Sequence, residues 1–140
     1  MSENCIFCQI VNDRLESRTV YEDELTLAFL DVNPLAPGHT VVIPKAHIER
    51  LEDLPTEQMG PLFEAVRRVT DKVQQAMKVD ATTIGINNGR AAGQAVPHLH
   101  VHIIPRRADD GGGSLHSIVH SNGPLSLDEV QRLIQQVFGA

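Results

Sequence analysis

The stretch "VPHLHVHIIPR", residues 96–106, places three imidazoles on alternate positions of a run that otherwise reads as a β-strand. Side chains along a strand point to opposite faces in turn. His98, His100 and His102 therefore share one face, and Leu99, Val101 and Ile103 share the other. The apolar side predicts a core face. The histidine side predicts a row turned toward solvent or a ligand. Such a row has three readings. It is a polar strand face without function, a metal site, or a divided catalytic set. A single ion held by all three is opposed by distance. Residues two apart on a strand are separated by roughly 6.7 Å, and residues four apart by roughly 13 Å. Ligand nitrogens must lie about 2.0–2.1 Å from one zinc. The third reading uses the chemistry of a neutral imidazole, whose ordinary pKa is roughly 6.5. A hydrogen bond from one ring nitrogen leaves the other as a lone pair able to attack phosphorus. His100, flanked on both sides, is the natural nucleophile, and a neighbouring ring can contact the phosphate oxygens.

Upstream of the row, "GRAAGQAVP" (89–97) supplies Gly89 and Gly93, which permit close backbone approach to a ligand. Backbone amides of this loop are candidates to receive phosphate oxygens. Further out, "RTVYED" (18–23), "TLAFLDV" (26–32), "TVVIP" (40–44) and "TTIGINN" (82–88) are strand-like. The turn formers of "NPLAPGH" (33–39) predict an antiparallel pair around them. From Thr56 to Lys78 the period changes, with Met59, Leu62, Phe63, Val66, Val69, Val73 and Met77 at three- and four-residue steps. That is an amphipathic helix with Thr56 as its cap, or with a start nearer residue 60 if Pro61 lies in the first turn. Residues 106–125 read as loop. Ser126 and Glu129 form a capping box opening a last helix. There is no repeat and no second hydrophobic core. The expectation is a single α+β domain over residues 1–140, with a mostly antiparallel sheet of about five strands and two helices.

Composition narrows the function classes. The chain has 140 residues, is 41 % apolar and 21 % charged, and carries a net charge of −6. That balance opposes an electrostatic grip on nucleic acid or on an anionic membrane. No apolar run approaches the roughly 20 residues of a membrane span. "MSENCIFCQI" lacks the basic-then-apolar order of a secretory signal, so the expected location is cytoplasmic. The two cysteines, Cys5 and Cys8, form C-x-x-C. In a reducing compartment this is a redox pair, a metal site or two incidental thiols.

"HLHVHII" fits H-φ-H-φ-H-φ-φ, and on these residues the chain resembles the histidine triad (HIT) superfamily. "AFLDVNPLAPGHTVVIPKAHIERL" (28–51) resembles the family's ribose-side strands and PKxH segment. "INNGRAAGQAVPHLHVHIIPR" (86–106) resembles its phosphate loop and triad. The likeness is strongest to the compact, bacterial-type branch near Hint proteins. It implies the HIT-like fold, a homodimer, and hydrolysis or transfer at the α-phosphate of a nucleotide. Carried over by position, His100 is the covalent nucleophile, His102 contacts the phosphate, and His98 orients its neighbour. Asp31 matches the acidic ribose contact, with Val32 beside the base. Asn87, Gly93 and Gln94 match the phosphate loop. Ala95 stands where related branches carry Ser or Thr, whose hydroxyl meets the leaving group or the phosphate. This departure predicts weak turnover of poor leaving groups, with nucleotide binding retained.

The resemblance also supplies a zinc set, because some branches bind zinc through C-x-x-C, an earlier histidine and the first triad histidine. Here those are Cys5, Cys8, His47 and His98. Two thiolates and two imidazoles suit tetrahedral structural zinc. Elsewhere, His39 either hydrogen-bonds within the strand pair or is exposed, the latter being preferred, and His116 and His120 are expected to face solvent. Arg106 and Arg107 are either phosphate contacts or a solvated pair. The leading expectation is a purine-nucleotide hydrolase or transferase acting on a phosphoramidate or a dinucleoside polyphosphate. The alternative is a non-catalytic nucleotide-binding, zinc-stabilised interaction module.

Overall fold

The computed structural model describes residues 2–121 and 123–139. The chain divides into two compact units, Met1–Asp110 and Gly111–Ala140. The first contains helix α1 (Ile6–Val11), strands β1 (Thr19–Glu22), β2 (Thr26–Leu30) and β3 (Thr40–Pro44), helix α2 (Thr56–Met77), and strands β4 (Ala81–Gly85) and β5 (Val101–Arg106). The strands form one antiparallel sheet in the order β1-β2-β3-β5-β4. The architecture is the expected α+β one, with a short α1 that the sequence reading did not anticipate.

Both faces of β2 and β3 are covered, which is why "TLAFL" and "TVVIP" are nearly continuous apolar runs. On one face α2 inserts Leu62, Ala65, Val66 and Val69, spaced at three and four residues, against Ala28, Val42, Leu99, Val101 and Ile103. Leu62, Val66 and Val69 each contribute about 1.5–3 kcal/mol of burial. On the other face Leu27, Phe29, Val41 and Ile43 pack with Cys5, Phe7 and Cys8 of the N-terminal segment. The two sets alternate along each strand, as the pleat requires.

Helix α2 begins at Thr56, so Thr56 is its first residue rather than its cap; Pro55 holds that position and makes no side-chain bond. Pro61 lies inside the helix, not in its first turn. It leaves the Glu57 carbonyl without a helical donor, and Glu57 is exposed, so water can serve it. In Gly111–Ala140, helix α3 (Leu127–Val137) opens with the expected capping box: Ser126 Oγ accepts from the Glu129 N–H at 3.1 Å, and Glu129 Oε1 accepts from the Ser126 N–H at 2.9 Å. Among the described residues no helix is long and apolar enough to cross a membrane.

Candidate active site and metal centre

Strand β5 lies between β3 and β4, and the pairing sets His102 opposite Val41 and Gly85. Leu99, Val101 and Ile103 enter the core as the alternation predicted. The histidine face differs from expectation in its cover. It is roofed by α1, so His98 is 0 % and His100 only 7 % exposed. His98 and His100 also precede the strand proper, which starts at Val101.

Hydrogen-bond partners fix the proton on each ring. A carbonyl only accepts, so a nitrogen facing one must carry hydrogen. His100 Nδ1 donates to its neighbour's carbonyl, that of His98, at 2.7 Å. The lone pair of His100 is therefore on Nε2, and His100 lines a cavity of about 920 Å³. A backbone N–H only donates. The Leu35 N–H meets His39 Nδ1 at 3.1 Å, so the His39 proton sits on Nε2. That nitrogen donates to His102 Nδ1 at 3.0 Å, with Asp31 Oδ2 3.5 Å away. His102 then carries its proton on Nε2, as a donor. Burial holds His102 down to about 4 and lowers His39 as well, the Asp31 carboxylate opposing it in both. Both rings are neutral near pH 7, which the relay requires. His39 is 3 % exposed. The expectation that it faces solvent is corrected: it is the inner link of this relay.

Asp31, Val32, Asn87, Gly93 and Ala95 line the same cavity as His100 and His102. Asp31 Oδ1 accepts from the Asn33 N–H at 2.8 Å, which orients the carboxylate. Gln94 has a different place. Its Oε1 accepts from the Gly89 N–H at 2.8 Å, and its Nε2 donates to the carbonyls of Glu49 at 2.8 Å and Val96 at 3.1 Å. It braces the loop from within. Gly89 and Gly93 have φ of 101° and 98°, the region that favours glycine. The amides of Gly89, Ala92, Gly93 and Gln94 are bonded inside the loop, and these bonds hold its shape beside the cavity.

Beneath His100 lies the cysteine cluster. Cys5 caps α1, and its sulfur accepts from the Cys8 N–H at 3.4 Å. His98 Nε2 donates to the Pro44 carbonyl at 2.8 Å, turning its Nδ1 lone pair toward Cys5 Sγ at 3.4 Å and Cys8 Sγ at 3.5 Å. His47 Nδ1 stands 3.2 Å from Cys8 Sγ. With zinc–sulfur near 2.3 Å and zinc–nitrogen near 2.0–2.1 Å, a tetrahedral site has sulfur–nitrogen edges of about 3.5 Å. The four donors fit that geometry, and the Pro44 bond orients His98 as metal-bound histidines usually are. Burial, then Cys5 beside it, pushes the Cys8 thiol up to about 11, so a thiolate here needs a cation. Asp31, His39 and His102 also converge. A metal there would have to displace the proton from His39 Nε2 while Leu35 still donates to Nδ1, so the arrangement is that of a hydrogen-bonded chain.

A family model described as "HIT domain" matches residues 12–109. The chain belongs to the HIT-domain family. It is 47 % identical over 107 residues to a HIT-like protein of Methanocaldococcus jannaschii, covering 76 % of this chain and 82 % of that one. An Arabidopsis thaliana adenylylsulfatase is 36 % identical over 110 residues, 79 % of this chain and 56 % of the relative. An asymmetrical bis(5'-nucleosyl)-tetraphosphatase of Schizosaccharomyces pombe is 43 % identical over 94 residues, 67 % and 52 % of the two chains. Among solved structures, a HIT family protein from Bacillus subtilis superposes with a TM-score of 0.84 at 36 % identity, over 96 % of this chain and 95 % of that one. A zinc-bound histidine triad protein from Mycobacterium smegmatis gives 0.74 at 34 % identity, over 97 % and 94 %.

Two contributors to this HIT site escaped the sequence reading. His39 shares a face with Val41, and Val41 pairs with His102, but that register is visible only once β3 and β5 are known to be neighbours. Phe7 stands edge-on to His100, with ring centroids 5.1 Å apart at 86°. The remaining candidates lie elsewhere. Arg106 binds Asp110 at 2.7 Å and Thr83 Oγ1 at 2.9 Å, and Arg107 reaches the Met77 carbonyl at 3.1 Å. His116 and His120 are exposed.

Proposed function

We propose that this HIT domain cleaves at the α-phosphate of a purine nucleotide through a covalent nucleotidyl-His100. The observation that carries the reading is the 2.7 Å bond from His100 Nδ1 to the His98 carbonyl, which leaves Nε2 as the nucleophile. His100 Nε2 forms the P–N bond as the bond to the leaving group breaks, the leaving group taking the electron pair. His102 donates from Nε2 to a non-bridging oxygen and stabilises its developing charge. Water then attacks phosphorus, breaks the P–N bond and returns the lone pair to His100, releasing to solvent the proton that balances the one the leaving group takes up. Asp31 contacts the ribose, Val32 the base, and Asn87 with the Gly93–Ala95 loop the phosphate side.

The names of the relatives, adenylylsulfatase and bis(5'-nucleosyl)-tetraphosphatase, support a nucleotide substrate here. A phosphoramidate or a dinucleoside polyphosphate is the substrate class in this reading. Zinc held by Cys5, Cys8, His47 and His98 serves structure, not a chemical step. The reading includes a cytoplasmic protein, since reduced buried thiols suit that compartment. It includes a homodimer, since β4 is a sheet edge with Ile84 40 % exposed, and Met59 and Phe63 of α2 are also exposed.

The decisive experiment replaces His100 by Ala. Turnover and the acid-labile nucleotide adduct disappear while AMP still binds; retained turnover would refute the mechanism. A second reading, a nucleotide-binding module without catalysis, is favoured by Ala95, which has no hydroxyl for the leaving group. It predicts AMP binding with no trapped adduct on the unaltered chain.

A further inference from the structure

The cysteine cluster and the nucleotide cavity share one structural element. Helix α1 is six residues long, far below the roughly 12–15 at which an isolated helix holds in water. Its order therefore depends on what packs against it. Cys5 and Cys8 anchor one side in the metal cluster. Ile6, Phe7 and Ile10 form part of the cavity wall on the other. Phe7, between the two cysteines, stands edge-on to His100 at 5.1 Å, to His98 at 5.9 Å and to Phe29 at 5.3 Å. His98 makes a second bridge, its ring facing the sulfurs and its carbonyl holding His100.

We propose that zinc at the cysteine cluster and nucleotide in the cavity bind with positive thermodynamic linkage, transmitted through α1 and its Phe7. This rests on the zinc and nucleotide readings above. Metal binding fixes α1, so the nucleotide meets a wall whose ordering is already complete. By reciprocity, nucleotide binding tightens zinc by the same factor. Zinc supply then sets nucleotide affinity without zinc touching the reacting atoms.

The test measures four affinities on the full chain. AMP is titrated calorimetrically into zinc-loaded and metal-free protein. Zinc is titrated against a chromophoric chelator with and without saturating AMP. Both ratios are expected to agree and to reach at least about fivefold, the low end of ordinary couplings. Phe7→Leu is expected to bind one zinc and to bring the ratio near one. Cobalt, whose thiolate absorption reports binding, covers the case in which the metal-free chain does not fold: saturating AMP should tighten cobalt in the unaltered chain and not in Phe7→Leu. Independent binding of metal and AMP, or a cobalt affinity unmoved by AMP, overturns the linkage. Failure to bind stoichiometric metal would instead remove the zinc reading, and failure to bind AMP the nucleotide reading.

Discussion

His39 donates from Nε2 to Nδ1 of His102 across 3.0 Å, joining residues 63 apart in the sequence. The donor has no other orientation, because the Leu35 N–H holds its opposite nitrogen. Replacing His39 by Leu keeps the pocket filled and frees His102 to adopt either tautomer. We expect kcat to fall on the order of 10–100-fold, as when partners that orient a functional imidazole are lost, with KM changed little. His39→Gln, which retains a donor, should recover part of the loss. Unchanged kcat in His39→Leu would show that the relay does not set the His102 proton.

The same ring makes stability depend on pH. Burial, then the neighbouring His100 and His39, lowers folded His102 to about 4, against the ordinary 6.5. Between those values the unfolded chain binds the extra proton. The contribution is therefore complete above pH 6.5 and is lost as pH falls toward 4, with a slope approaching about 1.4 kcal/mol per pH unit. Urea unfolding across that window should show the unaltered chain losing about one proton's slope more than His102→Gln, both with zinc present. Equal slopes would mean that His102 titrates normally in the folded state.

Gln94 matches a family position that the resemblance assigns to phosphate, and its amide is committed to three backbone groups. Gln94→Ala leaves the buried Gly89 N–H without its acceptor, while the Val96 carbonyl keeps the His98 N–H at 2.8 Å. Each group left buried and unbonded costs about 1–3 kcal/mol. Thermal or urea denaturation should register the loss. A variant as stable as the parent would mean the loop does not need this brace.

Ala95 lines the cavity and is exposed. Ala95→Ser adds a hydroxyl able to donate to a leaving group. We expect kcat for phosphoramidates with poor leaving groups to rise by about tenfold, the equivalent of one net hydrogen bond of about 1.4 kcal/mol in the transition state. AMP affinity should stay within about twofold. A Ser variant no faster than the parent would place the leaving group away from residue 95.

Much of this arrangement was legible in the sequence because it rests on period and local chemistry. The alternation of residues 98–103 gave the two faces of β5, and the spacing from Met59 to Met77 gave α2. Ser126 and Glu129 marked the start of α3 because a capping box is a local bond pair. Helix α1 was not legible, since six residues leave no room for a period to repeat. His39 was misplaced because its burial depends on β5 crossing to pair with β3, a contact no local pattern encodes. The cover over His98 and His100 was missed for the same reason: it comes from α1, more than eighty residues earlier in the chain.

The strand order carries a kinetic consequence. β4 and β5 pair across a short excursion, whereas Val42 on β3 meets Val101 on β5 only after the intervening helix is in place. Closing a loop of roughly sixty residues is entropically costly and slow compared with local pairing. Docking of β5 onto β3 is also the event that brings His102 to His39. A chain that has not made this long-range pairing therefore lacks the joined His39–His102 imidazoles.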